Sequence, residues 1–251
     1  MGSLPLSEEI LLKRTAFLKN VALFAKLGEE DLGILAGNFQ SRKYRKKEIV
    51  FHQGDDSHVL YVIMKGKVRI FSMSPSGNET SIRIFSTYDM IGELAAIDGQ
   101  PRSATAQAVD DCTLLEMEHT RFLRYTREMP ELAMGLLKLL VEKVRWTTAH
   151  AETIAQYDTA GRLLHILLHY NEVLGREVDA GKRYELDLSM NQADLASLVG
   201  ARREWVNRIL RDWSRRGLIE YEHGKITILD LPAVEEERDR RIDLYAGDEG
   251  W

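Results

Sequence analysis

Gly92 and Glu93 are followed, ten and eleven positions after the glycine, by Arg102 and Ser103. The local frames are Ile91-Gly92-Glu93-Leu94 and Pro101-Arg102-Ser103-Ala104. Glycine has no side chain, so backbone can approach a ligand closely there. Glu93, Leu94, Ala95 and Ala96 suit a short helix, whose first N–H groups favour an anion. An ionised Glu93 only accepts hydrogen bonds, which suits a hydroxyl and not a phosphate. Arg102 offers a planar fork of donors to phosphate oxygens, and Ser103 adds one more. Together these residues form a kit for one small ligand bearing hydroxyls and a phosphate. The plainer alternative is a hairpin with a surface salt bridge between Glu93 and Arg102.

A second constellation spans Asn191 to Arg216. Counted from Gln192, Ala196, Gly200 and Val206 fall at the fifth, ninth and fifteenth positions, the spacing of a helix-turn-helix. A small residue lets two helices touch, glycine takes the turn, and Val206 packs inward. Leu195, Leu198, Ile209, Leu210 and Trp213 extend the apolar face. The other face carries Arg202, Arg203, Arg208, Arg211, Arg215 and Arg216 against Glu204 and Asp212. Arginine reads guanine as a bidentate donor and glutamate accepts from cytosine, while further arginines reach phosphates. A solvated charged helix is the competing interpretation; spacing and arginine excess together favour DNA.

The elements that must hold these residues can be read in outline. Ser7 to about Asn38 is helical, with acids opening a second helix at Gly28-Glu29-Glu30-Asp31. From about Ser41 to Glu118 short apolar strands alternate with turns at Gly54, Gly66, Ser74–Asn78, Gly92 and Gly99, as in a small β-barrel. A long helix runs from Pro130 to about Tyr157. Leu137, Leu140, Val144, Thr147, Ala151 and Ile154 repeat along it at spacings of 3 and 4, a coiled-coil stripe that predicts a symmetric dimer. Thr147 and Thr148 interrupt that seam with hydroxyls, either to set register or to reach a ligand. His165 and His169 lie four apart without a third convincing ligand, so no metal is expected. Gly175–Ser189 suits a hairpin arm, and Gly217–Glu220 with Lys225–Ile228 a winged hairpin. Glu235–Arg241 predicts a solvated helix, followed by an acidic, frayed end at Trp251.

The stretch around Gly92 resembles the phosphate-binding cassette of cyclic-nucleotide-binding modules. The stretch around Gly200 resembles the DNA-binding domain of the cyclic-AMP receptor and FNR family of bacterial transcription regulators. The resemblance covers nearly the whole chain, weakest before Gly28 and after Asp230. It implies an α+β fold in three parts. Residues 1–129 would form a cyclic-nucleotide-binding β-jelly-roll, 130–157 a coiled-coil dimerisation helix, and 158–251 a winged helix-turn-helix. It assigns the nucleotide to Gly92, Glu93, Leu94, Arg102 and Ser103, and its base to Thr147 and Thr148. Bases would be read by Arg203, Glu204 and Arg208, within a candidate DNA-contacting set that also holds Arg202, Asn207 and Arg211. Arg202, Trp205 and Asn207 stand where the family usually has serine, a small threonine and glycine. Cyclic AMP is the implied effector, with cyclic GMP as the alternative. Implied partners are palindromic duplex DNA, a second copy of the chain and RNA polymerase.

The bulk numbers fit this reading. A chain of 251 residues holds two ordinary domains, and 44% hydrophobic with 29% charged residues is globular. Its net charge of −5 argues mildly against nucleic acid, but clustering matters more than the sum. One cysteine, Cys112, excludes a disulfide framework or a cysteine-ligated cluster within the chain and suits the cytoplasm. No run reaches the ~18 apolar residues of a membrane span. The first residues lack a signal-peptide core, and Leu6 rules out N-myristoylation at Gly2. No nucleophile–base pair or metal set points to an enzyme. Two rivals remain: the same fold sensing another effector or none, and a nucleotide-binding regulatory subunit acting on a protein.

Overall fold

The computed structural model describes residues 7–246 apart from Asn78 and His223. Asn78, at the end of the expected turn, and the expected acidic end from residue 247 to Trp251 lie outside the described residues, as do Gly2 and Leu6. The chain divides into two compact units, the first ending at Val144 and the second beginning at Arg145.

The first unit opens with helices α1 (Glu8–Leu18) and α2 (Glu29–Asn38), joined through a 3-10 turn at Ala22–Phe24. Ser7 caps α1 by accepting from the Ile10 N–H, and three acids fill the first turn of α2. Buried Arg14 ties the two together by donating to the carbonyls of Ala36 and Phe39.

Eight strands follow: β1 (Gln40–Tyr44), β2 (Ile49–Phe51), β3 (Val59–Lys65), β4 (Val68–Met73), β5 (Glu79–Phe85), β6 (Met90–Ile91), β7 (Thr105–Ala108) and β8 (Cys112–Glu118). They form two four-stranded sheets, ordered β1-β8-β3-β6 and β2-β7-β4-β5, as in a jelly roll. Strand β3 explains the arrangement. Its Tyr61 and Ile63 enter the core between the sheets with Phe51, Val68, Phe85 and Leu114. Its Leu60 and Val62 enter a second core with Phe24, Leu35, Phe39, Leu115 and Phe122. A strand buried on both faces reads as a continuous apolar run, which is what Val59–Met64 is.

Helix α3 (Glu93–Asp98) sits between β6 and β7, and α4 (His119–Glu128) leads into α5 (Pro130–Gln156). The 27 residues of α5 rise about 40 Å. The expected apolar stripe is exposed at five of its six positions, and Leu140 is the exception. Leu140 packs against the sensor core beside buried Leu132 and Leu136. Leu137, Val144 and Ile154 of that stripe are 56, 64 and 54% exposed, and Met134 and Val141 beside it 54 and 51%. Leu140 is half-buried because the helix also serves its own barrel on that side.

The second unit holds α6 (Thr159–Leu174), β9 (Arg176–Asp179), β10 (Arg183–Asp187), α7 (Gln192–Val199), α8 (Arg203–Arg215), β11 (Ile219–Glu222), β12 (Lys225–Ile228) and α9 (Leu231–Ala246). The arm and the wing, two hairpins in sequence, form one sheet ordered β11-β12-β10-β9. Helix α9 corrects the expectation of a merely solvated helix. Its Glu237 is 6% exposed and accepts from both Arg216 and Arg241, and Arg241 also donates to Asp158 at the start of α6. The charged run is thus partly an internal clamp.

Candidate ligand pocket and nucleic-acid interface

Gly92 caps α3 with φ +77°, a left-handed conformation that side chains rarely adopt. A Cβ there would stand 2.7 Å from Arg102 Nη1 and 3.0 Å from the Val59 carbonyl. The position therefore excludes a side chain twice over, and the guanidinium of Arg102 lies directly against its backbone.

Arg102 is 3% exposed. Its Nη1 donates to the Gly92 carbonyl at 2.9 Å, and its Nη2 to Ser57 Oγ at 3.1 Å and to the Val59 carbonyl. The guanidinium carbon lies 4.2 Å from the Phe51 ring centroid and 5.9 Å from that of Tyr61. Among the described residues no carboxylate forms a salt bridge with it, and its Nε has no hydrogen-bond partner. Burial pulls its pKa down, and Tyr61, Asp55 and Glu93 oppose that pull. Carbonyl oxygens orient this cation without neutralising it. A buried guanidinium so held is a prepared anion site, since isolated buried charge is costly.

Glu93 is also 3% exposed, but it does not pair with Arg102. Its carboxylate meets Lys143 Nζ of α5 at 2.8 Å, and that lysine also donates to the Met90 carbonyl. The surface bridge between Glu93 and Arg102 is therefore not formed; both groups are internal and separately held. Leu94 is 47% exposed, and Ser103 is exposed. Thr147 and Thr148 are exposed on α5 and belong to the second compact unit. Residues that sequence reasoning missed are Lys143, Ser57, Phe51 and Tyr61. Pattern offers no signal for them, because they reach Glu93 and Arg102 from distant parts of the chain.

In the second unit Asn191 caps α7 by accepting from the N–H groups of Ala193 and Asp194, and Asp194 returns the bond to Asn191. Gly200 takes the turn at φ +64°, and Ala196 and Val206 are buried where the helices meet. Helix α8 buries Val206, Ile209, Leu210 and Trp213. It exposes Arg203, Glu204, Arg208 and Arg211, with Arg202 exposed at its N-cap. None of these four arginines forms a salt bridge among the described residues. Asn207 is half-buried, its Oδ1 3.4 Å from Gln192 Nε2. Arg216 differs from the rest of the basic face: it is tied to Asp212 and Glu237 and braces α8 against α9. Its hydrogen bonds to Glu237 raise its pKa further.

Residues 41–128 match the cyclic nucleotide-binding domain and residues 161–237 the Crp-like helix-turn-helix domain. The CRP-like cAMP-activated global transcriptional regulator of Mycobacterium tuberculosis is 29% identical over 213 residues, 85% of this chain and 94% of that protein. The cyclic AMP receptor protein of Thermus thermophilus is 27% identical over 219 residues, 87% of this chain and 97% of that one. The structure of a CooA mutant from Carboxydothermus hydrogenoformans shares the fold, with a TM-score of 0.71 at 20% identity over 90% of this chain and 99% of the other. With a cyclic-nucleotide domain that buries Arg102 beside Gly92 and a helix-turn-helix bearing an exposed arginine face, the chain belongs to the CRP–FNR family of transcription regulators.

Proposed function

We propose that this regulator responds to cyclic AMP, binds palindromic duplex DNA as a homodimer and acts with RNA polymerase in the cytoplasm. The observation that carries the effector reading is Arg102, a buried cation held by three neutral acceptors with no carboxylate bridging it. A cyclic phosphate would supply the missing anion, and the nearby Glu93 carboxylate a hydroxyl acceptor. Gly92, Leu94 and Ser103 complete the ligand contacts, and Thr147 and Thr148 reach the base. That one relative is a cAMP-activated regulator and another a cyclic AMP receptor protein favours cyclic AMP over cyclic GMP.

Residues 1–129 form the sensor, 130–157 the dimer helix and 158–251 the DNA-binding part. The exposed stripe Met134, Leu137, Val141 and Val144 favours a second copy of the same helix as its cover. Two-fold symmetry then calls for a two-fold operator. Among the described residues no helix is long and apolar enough to cross a membrane. Calorimetric titration of the full chain with cyclic AMP and with cyclic GMP tests the effector. Micromolar or tighter binding of cyclic AMP, with weaker cyclic GMP, is the expected result. Binding of neither refutes the effector assignment.

A further inference from the structure

Trp205 is a large apolar side chain left 47% exposed on the DNA-facing helix. It also borders an open cavity of about 410 Å³ shared with Asp158, Thr159 and Asp212, so its ring is not part of the packed core. One residue lies on it: the Arg208 guanidinium carbon is 5.1 Å from the ring centroid. That placement is not the one charge alone would select. Arg208 has carboxylates four residues away on either side, Glu204 and Asp212. A glutamate four residues before an arginine is a favourable helical ion pair. Yet Arg208 bonds to neither among the described residues. Asp212 is taken by Arg215 and Arg216, and Glu204 is left unbridged.

Resting on the DNA-binding reading of α8 given above, we propose that Trp205 is a positioning residue that sets base specificity through Arg208. The ring holds the guanidinium by its flat face, so the edge that carries the donors stays free for a bidentate acceptor such as guanine. It also keeps Arg208 off Glu204. Without the ring, the two groups would neutralise each other within the helix, and both would be lost as readers. With it, a donor fork and an acceptor stand exposed side by side. A tryptophan in place of a small residue then sharpens recognition.

The test is binding-site selection with the full chain, together with affinity for single-base variants of the selected duplex. Arg208→Ala first identifies the base position it governs. Trp205→Ala is expected to reduce discrimination about fivefold at that position and at the one Glu204 governs, leaving the remaining positions and the salt dependence unchanged. Trp205→Phe should retain most of the discrimination, because a ring face remains. Adding Glu204→Gln to Trp205→Ala should restore the preference at the Arg208 position, because the competing carboxylate is gone. A Trp205→Ala profile identical to wild type, or one weakened evenly across the site, overturns the positioning role. An Arg208→Ala profile identical to wild type overturns it too, by removing the base-reading assignment beneath it. Those results are distinct, since only the last leaves Arg208 without a base.

Discussion

Arg102 is confined by sterics and satisfied by neutral oxygens, so its positive charge is the unspent quantity in the sensor unit. Arg102→Ala should weaken cyclic-nucleotide binding by roughly 2–5 kcal/mol, because the ligand phosphate would be desolvated without a counter-charge. Unchanged calorimetric affinity would remove the cassette from consideration. Glu93 makes the complementary case. Lys143→Met keeps most of the stem but strands a buried carboxylate. Unfolding in urea should show a loss of about 1–3 kcal/mol, and Lys143→Arg should lose less. Equal stability of wild type and Lys143→Met would mean that the pair contributes nothing. At this scale the sequence was legible where chemistry is local. Gly92, Glu93 and Arg102 lie within eleven residues and stand out as one group by type and spacing. Lys143 and Ser57 do not, because the contacts that recruit them depend on how β3, α3 and α5 pack.

Elements were readable where burial imposes a single period, and misread where one element serves two neighbours. The jelly-roll strands and the helix-turn-helix follow from turn glycines and apolar spacing. Of the seam expected on helix α5, Leu140 alone departs, because it is drawn to the barrel. Two variants separate the two faces. Val141→Glu with Val144→Glu should convert a dimer to a monomer in sedimentation. Leu140→Ala should preserve the dimer but cost about 2 kcal/mol of sensor stability. Loss of the dimer in Leu140→Ala, with the double variant still dimeric, would place the seam on the Leu140 face. Helix α9 was misread because charge suggested solvent, whereas Glu237 is enclosed by arginines. Hydrogen bonds from Arg216, then Arg241, hold its pKa at about 2, below the ordinary glutamate value of 4.5. A folded value below the unfolded one means that Glu237 stabilises fully above pH ~4.5 and loses that contribution as pH falls toward 2. Thermal unfolding of the second unit should therefore decline through that window, and Glu237→Gln should flatten the decline. A wild-type slope retained in Glu237→Gln would assign the acid sensitivity to other groups.

Across the whole molecule, α5 is the one helix that runs through the division between the two units. The break falls at Val144 and Arg145, two residues before Thr147. A ligand that contacted Thr147 and Thr148 would therefore act just past the point where the sensor gives way to the DNA-binding unit. Contact alone does not make a switch. The nucleotide must bind the DNA-competent arrangement more tightly than the other, and the difference bounds the effect on DNA affinity. Thr147→Val with Thr148→Val removes both hydroxyls while keeping the branched shape, and it leaves Arg102 and Glu93 in place. Cyclic AMP should still bind, less tightly by about 1–3 kcal/mol for two lost hydrogen bonds. Operator affinity without nucleotide should stay near that of wild type. What should shrink, to under about a tenth of its wild-type value, is the gain in operator affinity at saturating cyclic AMP, because a coupling of 1.4 kcal/mol corresponds to a factor of ~10. Operator binding measured with and without saturating nucleotide reads this directly. If the double variant keeps the full gain, the hydroxyls serve only the register of the helix pair, and the switch lies elsewhere.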